Sequence, residues 1–311
     1  MMIVGNTLGD LLCWQSTNTK PNYMEEGMTT QRTLAKSVSC AGRSLHLGRV
    51  TTITMSPAPP DSGIVFRRSD LPGSPETRAE VANVIDTNRC MVIGNAHYRI
   101  GTVEHLLSAA HGLGLDNALV EVDGEELPVG DGSALFFANL LLEAGLIEQS
   151  RPRRLLRVCK PVWVAENGSY LVALPSPRPG LSVSFTFSAD SRVIGAQYYQ
   201  YTLGVDDYLR EIAPARTIAF VEEIQSLRDQ GLARSEDAQA VVMVGPDGYL
   251  NDLRLRDEIV RHKILDLLGD LYLVSGPLHG QIIAVRSGHH LNYKLGQALS
   301  EPGVVETQES D

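Results

Sequence analysis

Segments with the periodicity of a strand alternate with segments that have the periodicity of a helix along most of this chain, and the alternation narrows the folds open to it. Residues 50–55 are β-branched and roughly alternating, as in a strand. Residues 133–144 and 257–272 instead carry apolar residues at helical spacing. Further strands are predicted at residues 118–122, 170–174, 181–187, 240–244 and 281–286, and further helices at residues 102–111, 206–211 and 221–230. Such a mixture predicts an α+β fold.

Two similar halves follow one another in this succession of elements, and 311 residues suit about two domains. Residues 151–157 are basic and contain Pro152, which resembles an interdomain linker. We therefore expect an N-terminal α+β domain over 29–153 and a C-terminal α+β domain over 154–311, each a β-sheet packed against helices. Residues 1–28 mix polar and isolated apolar residues without a period, which predicts a disordered extension or a misassigned start.

The chain is acidic, with a formal net charge of −10 and a sequence pI of about 5.3. This charge argues against binding to nucleic acid or to an anionic membrane surface, so an anionic substrate must meet positive charge that is concentrated locally. No apolar run reaches the roughly 18 residues of a membrane-spanning helix, and a secretory signal is not recognisable. We expect a cytoplasmic protein without stable membrane insertion.

The cysteines form no metal-binding pattern. Cys13, Cys40, Cys90 and Cys159 include no C-x-x-C pair, so they are predicted to be reduced thiols. A metal ion in this chain would therefore be held by histidine and carboxylate side chains.

The sequence RHKILDLLGD at residues 261–270 places His262, Asp266 and Asp270 at successive intervals of four on a predicted helix. Positions at this interval share one face, so an imidazole and a carboxylate one turn apart can hold a divalent metal ion. The alternative is a solvated polar face with an ordinary His–Asp pair, which is common on helices.

A second candidate is the sequence TVEHL at residues 102–106. Glu104 and His105 stand at the start of a predicted helix, with Thr102 as its expected cap. The histidine can bind a metal ion, and the carboxylate can act as a general base toward a water whose pKa the metal lowers. The alternative is an acidic residue that favours the helix dipole beside an ordinary histidine.

Two shorter segments complete the pattern. The sequence SGHHLN at 287–292 suits a tight turn that presents an imidazole, and such an imidazole can protonate a departing amine. The sequence ARTIAF at 215–220 offers a hydroxyl, a cation and two apolar groups. The alternative for each is a turn or strand without a chemical role. Two histidines and one carboxylate with an open fourth position are typical of hydrolytic zinc, and no HExxH motif is present.

Five motifs occur in order along the chain: TVEHL at 102–106, DGSA at 131–134, ART at 215–217, VRHKILDLLGD at 260–270 and SGHHLN at 287–292. Together they resemble the UDP-3-O-acyl-N-acetylglucosamine deacetylases of lipid A biosynthesis over residues 31–300. The resemblance implies zinc-dependent hydrolysis of the N-acetyl group of a UDP-3-O-(3-hydroxyacyl)-N-acetylglucosamine, which gives the free amine and acetate. It also implies a monomer with two α+β domains and the active site between them.

The same resemblance implies a role for each matching residue. A zinc ion would be held by three ligands, His105, His262 and Asp266. Glu104 would be the general base, and His289 would be the general acid, oriented by Asp270. Thr217 and Lys263 would stabilise the oxyanion. The residues expected to contact the substrate are Thr217, Ile218, Phe220 and Lys263.

Departures from the family pattern concern the handling of the substrate. Ile218 stands where an aromatic residue is usual, residues 231–237 replace a Gly-Gly-Ser turn, and the hydroxyl that normally follows His46 is missing. Two alternatives therefore stay open: a zinc deacetylase for a different acylated amino sugar, or a non-catalytic homologue that binds a nucleotide sugar. The presence of Glu104 and His289 counts against the second, because a binding module needs neither.

Overall fold

The computed structural model describes residues 30–189, 191–234 and 238–309. Its strands are β1 (Thr30–Leu34), β2 (Val38–Arg43), β3 (Val50–Pro57), β4 (Ile64–Arg68), β5 (Glu76–Arg78), β6 (Val84–Asp86), β7 (Val92–Gly94), β8 (Arg99–Gly101), β9 (Ala118–Val122), β10 (Leu146–Pro152), β11 (Arg154–Val158), β12 (Val162–Glu166), β13 (Ser169–Leu174), β14 (Leu181–Ser188), β15 (Ala196–Leu203), β16 (Thr217–Phe220), β17 (Val241–Val244), β18 (Leu278–Val285) and β19 (Val305–Glu309). Its α-helices are α1 (Glu104–Leu113), α2 (Leu135–Ala144), α3 (Tyr208–Glu211), α4 (Val221–Asp229), α5 (Glu258–Tyr272) and α6 (His289–Leu299). This mixture of helices and sheets confirms the predicted α+β class.

One large sheet comes from the first half of the chain, with the strand order β2-β3-β9-β4-β5. Strand β3 pairs antiparallel with β2 and β9, whereas β4 and β9 run parallel. Along β3 the buried residues are Thr51, Ile53 and Met55, as the period of two in its sequence predicts. A separate small sheet, β6-β7-β8, leads into α1.

The other large sheet comes from the second half and is built around β18. This strand pairs antiparallel with β13 and parallel with both β14 and β11. Alternate residues of β14, among them Val183 and Phe185, point to one face of this sheet and are buried there. Strands β16 and β17 form a small parallel sheet of their own, and α4 follows directly after β16.

Helix α5 lies at the centre of the molecule, since most of its residues are buried. It packs on α1 and α6 and also contacts β14 and β15. One apolar cluster includes Phe66 of the first large sheet, Leu268 of α5 and Ile282 of the second large sheet. The burial of α5 on all sides therefore places its polar residues His262, Asp266 and Asp270 inside the protein rather than in solvent.

Residues 151–157, for which the sequence predicts an interdomain linker, lie at the end of β10 and in β11, with Arg153 between the two strands. One of their basic residues has a structural role, because Arg153 is only 2% exposed and pairs with Asp116 at 2.9 Å. The division into two domains stays a prediction. The expectation for residues 1–28 lies outside the described residues.

Several elements were not predicted from the sequence, among them β10, β12, β15 and β19, and helix α6, which begins at His289 where a tight turn was predicted. Within the described ranges, no helix has both the length and the apolar composition needed to cross a bilayer. Cys40, Cys90 and Cys159 are free thiols, as expected for them.

Candidate active site

Three potential metal ligands meet where α1 crosses α5. His105 belongs to the first turn of α1, and His262 and Asp266 lie one turn apart on α5. Their ligand atoms all lie within 4.8 Å of one another. Asp266 Oδ1 is 3.2 Å from His262 Nε2 and 3.7 Å from His105 Nε2. The alternative of a solvated polar face is excluded for this part of α5, because these side chains are buried.

The donor set fits a divalent cation. His262 Nδ1 donates a hydrogen bond to the carbonyl of Ala215 at 3.0 Å, which directs Nε2 of the ring toward the position of a metal ion. Asp266 Oδ1 is buried and accepts no hydrogen bond from the described residues. Burial lowers the pKa of His105 to about 3, so this imidazole is neutral. A buried carboxylate oxygen beside the ring nitrogens of two histidines is the set of donors that a divalent metal ion satisfies.

The close approach of α1 and α5 depends on Gly269. A Cβ atom built at this position would lie 2.8 Å from the carbonyl carbon of Glu104 and 3.0 Å from its Cα. Any other residue would therefore push the start of α1 away from α5, and His105 away from His262 and Asp266. The glycine in the motif thus has a packing role.

Glu104 and His289 face the same space as the three potential ligands. His289 Nε2 is 3.8 Å from Glu104 Oε1 and 3.9 Å from Asp266 Oδ2. On its other side His289 Nδ1 is 2.9 Å from Asp270 Oδ2, which also accepts a hydrogen bond from Asn292 Nδ2 at 2.8 Å. Asp270 is thus placed to orient the His289 ring and Nε2 is directed toward Glu104.

The environment gives the carboxylates different protonation behaviour. Burial raises the pKa of Glu104. Burial would also raise the pKa of Asp266, but the adjacent His262 ring and the ammonium of Lys263 favour its charged form and hold the pKa well below its usual range. Burial opposes the charged form of His289, yet Asp270 outweighs it and raises the pKa of His289. His289 therefore carries a proton, and the nearby carboxyl group of Glu104 binds a proton readily.

The remaining predicted residues line the same cavity, which has a volume of about 390 Å³. Lys263 Nζ donates to Asp266 Oδ2 at 2.8 Å. Thr217, Ile218 and Phe220 lie along β16 on another side of the cavity. Asp270 does not line the cavity and reaches it through His289.

An apolar wall faces the polar cluster across this cavity. It is formed by β16, α4 and β17, and its apolar side chains include Ile218, Phe220, Ile224, Leu227, Val241 and Met243. The cavity therefore has a charged end at α5 and an apolar side toward α4, which suits a ligand with both a polar and an aliphatic part.

The cation of the segment at 215–220 does not face the cavity. Arg216 is 3% exposed and its Nε lies 2.8 Å from Glu258 Oε1. The backbone N of Arg216 donates to the same oxygen at 2.9 Å. Arg216 therefore anchors the start of β16 to α5 and fixes the position of Thr217.

The expected role of Thr102 as a helix cap is wrong. Helix α1 begins at Glu104 and no side chain caps it. The Thr102 hydroxyl donates to Glu126 Oε1 at 3.0 Å instead, and its backbone has a positive φ of 58°. The tertiary contact with Glu126 takes the hydroxyl away from the helix end.

Sequence reasoning missed several residues of the cavity wall, among them His46 and Arg89. Both ring nitrogens of His46 are shielded from solvent and form no hydrogen bond within the described ranges. His46 could have been identified from the sequence, because it lies in the Gly42–Gly48 run, which differs from the family pattern at Leu47. No motif pointed to Arg89.

A second cavity of about 330 Å³ adjoins the first and shares Arg89 and His289 with it. Arg286 and His290 also line it, together with the carboxylate of Glu166. Glu166 already lies 3.2 Å from His290 Nε2 and 3.1 Å from Lys294 Nζ. Two guanidinium groups and one carboxylate therefore line this cavity, although the chain as a whole is acidic.

The chain matches a family model described as LpxC, UDP-3-O-acyl N-acetylglycosamine deacetylase, over residues 31–301. Three curated proteins named UDP-3-O-acyl-N-acetylglucosamine deacetylase are similar to it. The protein of Acidithiobacillus ferrooxidans is 43% identical over 276 residues, which cover 88% of this chain and 90% of the relative. The protein of Myxococcus xanthus is 40% identical and covers 91% of this chain and 90% of the relative. The protein of Saccharophagus degradans is 41% identical and covers 86% and 89%.

Proposed function

The chain belongs to the UDP-3-O-acyl N-acetylglycosamine deacetylase family, and from this premise we propose that it hydrolyses the N-acetyl group of a UDP-3-O-(3-hydroxyacyl)-N-acetylglucosamine to the free amine and acetate. The observation that carries the proposal is the meeting of a three-residue metal cluster, an acid–base pair and an apolar wall in one cavity. The reaction is a step of lipid A biosynthesis, and its setting would be the cytoplasm.

The metal ion in this proposal is zinc, held by His105, His262 and Asp266. Zinc bound there would lower the pKa of a water molecule and polarise the acetyl carbonyl. Support for zinc comes from the donor set, since two imidazoles and one carboxylate leave a fourth position open.

Glu104 is proposed as the general base. Its carboxylate would take a proton from the water that attacks the acetyl carbon, and its buried position raises its affinity for that proton. His289 is proposed as the general acid, because its protonated ring faces the same space and would donate a proton to the departing amine nitrogen. Asp270 would keep the His289 ring oriented and charged.

The oxyanion of the tetrahedral intermediate would receive hydrogen bonds from Lys263 and Thr217, which line the cavity beside the metal cluster. Lys263 also contacts Asp266 at 2.8 Å, so its ammonium is already held at the polar end of the cavity.

The acyl chain and the diphosphate of the substrate need different surroundings in the protein. The acyl chain would lie along the apolar wall that includes Ile218 and Phe220, where each buried methylene contributes about 0.8 kcal/mol. The diphosphate would lie in the adjoining cavity near Arg89 and Arg286, which supply the local positive charge that an acidic chain requires. A monomer would suffice, because all these groups come from one chain.

The test is release of acetate from a series of UDP-3-O-(3-hydroxyacyl)-N-acetylglucosamines of different acyl length, with zinc measured in the same samples. Glu104→Ala is expected to keep its metal and to lose activity by about 10²- to 10⁴-fold. Glu125→Ala, at an exposed position, is the matched control and should behave like the unmodified protein. Wild-type protein that bound the substrate without releasing acetate would support the non-catalytic alternative. Faster turnover of another acylated amino sugar would show that this sugar is the preferred substrate.

A further inference from the structure

Arg89 lies in the turn between β6 and β7, at the boundary between the two cavities. Its backbone has a φ of 69°, in the left-handed region that residues other than glycine rarely occupy. Such strained residues concentrate at ligand sites, where the conformation directs a side chain that could not otherwise reach its position.

The guanidinium of Arg89 forms an ion pair with α4. Its Nη1 is 3.0 Å from Glu223 Oε2, and the two side chains are 48% and 42% exposed. Glu223 belongs to the first turn of α4. In the described part of the chain, no other side chain of α4 forms a hydrogen bond or ion pair outside residues 221–230.

Helix α4 also carries Ile224 and Leu227 to the apolar wall of the active-site cavity. Leu227 is the buried residue of this helix, and the rest of α4 is at least partly exposed. The ion pair between Arg89 and Glu223 is therefore a polar attachment of a lightly packed wall to the body of the protein.

The same guanidinium faces the adjoining cavity, where Arg286 is exposed and forms no ion pair with the described residues. A diphosphate near Arg286 would attract Arg89, because a guanidinium binds phosphate oxygens through two parallel hydrogen bonds. Glu223 would oppose this, both by holding the guanidinium and by repelling the anion.

We propose that Glu223 and the diphosphate of the nucleotide sugar compete for Arg89, so that nucleotide binding weakens the attachment of α4. The proposal rests on the proposed function for its ligand. Because coupling between two sites is reciprocal, a firmer attachment of α4 to Arg89 also weakens nucleotide binding.

The experiment measures binding of UDP to the zinc-loaded protein by calorimetry, with uridine as the ligand that lacks phosphate. Glu223→Gln is expected to tighten UDP binding by roughly two- to five-fold, the range that an exposed ion pair provides. Glu222→Gln removes the same charge from the neighbouring position, for which no ion pair is present in the described ranges, and should change UDP affinity less. Uridine affinity should be the same in all variants.

Arg89→Gly tests the other partner without risk to folding, because glycine adopts a φ of 69° without strain. This variant should be at least as stable as the wild type and should bind UDP about ten-fold or more weakly, as expected for the loss of charged hydrogen bonds to phosphate. In the Arg89→Gly background, Glu223→Gln should no longer tighten binding.

Each result decides between the possibilities. Weaker UDP binding by Glu223→Gln would show that Glu223 positions Arg89 for the nucleotide and would overturn the competition. Equal effects of Glu222→Gln and Glu223→Gln on UDP affinity would show that only the net charge of α4 matters. That result would also overturn the competition. Wild-type protein that bound uridine and UDP equally would refute the diphosphate position in the proposed function, whereas UDP binding that ignored Glu223 would refute the competition alone.

Discussion

Substitution of Gly269 by alanine tests whether the crossing of α1 and α5 sets the geometry of the metal cluster. The added Cβ would lie 2.8 Å from the carbonyl carbon of Glu104, which is 0.6 Å short of the 3.4 Å at which ordinary contact begins. The carbonyl oxygen lies nearer still. The obstacle is backbone, so no side chain can rotate away, and the start of α1 must move by on the order of 1 Å.

The expected cost differs between stability and activity. Overpacking of this kind destabilises by about 1–3 kcal/mol, while alanine gains about 1 kcal/mol over glycine inside a helix. The net loss of about 0–2 kcal/mol leaves the protein folded. Glu104 and His105 are adjacent at the start of α1, so both would be displaced from α5. A displacement of about 1 Å at reacting groups costs about 100-fold in rate.

Gly269→Ala is therefore expected to lower kcat/KM for acetate release by about 100-fold. Zinc affinity should fall by about 10- to 100-fold, as for other changes that disturb the orientation of ligands. The free energy of unfolding in urea, measured with the chelator-treated protein, should fall by no more than about 2 kcal/mol. Gly296→Ala in α6 is the matched control, because its Cβ meets only a methyl group of Val81 at 3.1 Å. Near wild-type activity and zinc affinity in Gly269→Ala would refute the reasoning.

Three further outcomes are expected. His262→Ala leaves two ligands, so zinc content per chain should fall sharply, and full retention of zinc would remove His262 from the metal site. Burial lowers the pKa of His111 from 6.5 to about 4, so only the unfolded chain binds a proton between these values. Stability should therefore be unaffected above pH 6.5 and fall by up to about 3 kcal/mol as the pH drops to about 4. His111→Asn keeps a donor for the Leu268 carbonyl and should flatten this dependence in urea unfolding at several pH values; an equally steep dependence would exclude His111 as its source. Ile218→Phe adds volume to the apolar wall and should shift the preference toward shorter acyl chains, measured as kcat/KM across an acyl-length series. An unchanged series would show that residue 218 does not set the length.

The sequence alone determined much of the chemistry on α5 and at the start of α1. Residues four positions apart lie on the same face of any helix, so the proximity of His262 and Asp266 followed from local periodicity. The adjacency of Glu104 and His105 works in the same way. Strands β3 and β14 also followed from local pattern, because burial on one face of a sheet imposes a period of two.

Local pattern failed where distant segments decide the environment. Residues 151–157 are basic in the sequence, yet Arg153 is buried against Asp116 and its neighbours lie in strands. Thr102 precedes a helix, yet its hydroxyl is bonded to Glu126. In both cases a polar side chain found a partner far away in sequence, and no window of neighbouring residues contains that partner.

Only the tertiary structure brought His105 to His262, two residues that lie 157 positions apart in the numbering. That approach requires a glycine at 269 and the burial of α5 on all sides. The position of Arg89 between two cavities depends on a left-handed backbone that its own sequence does not favour. Periodicity records which face of an element is apolar, whereas contacts between faces depend on how the elements pack, and packing is a property of the whole chain.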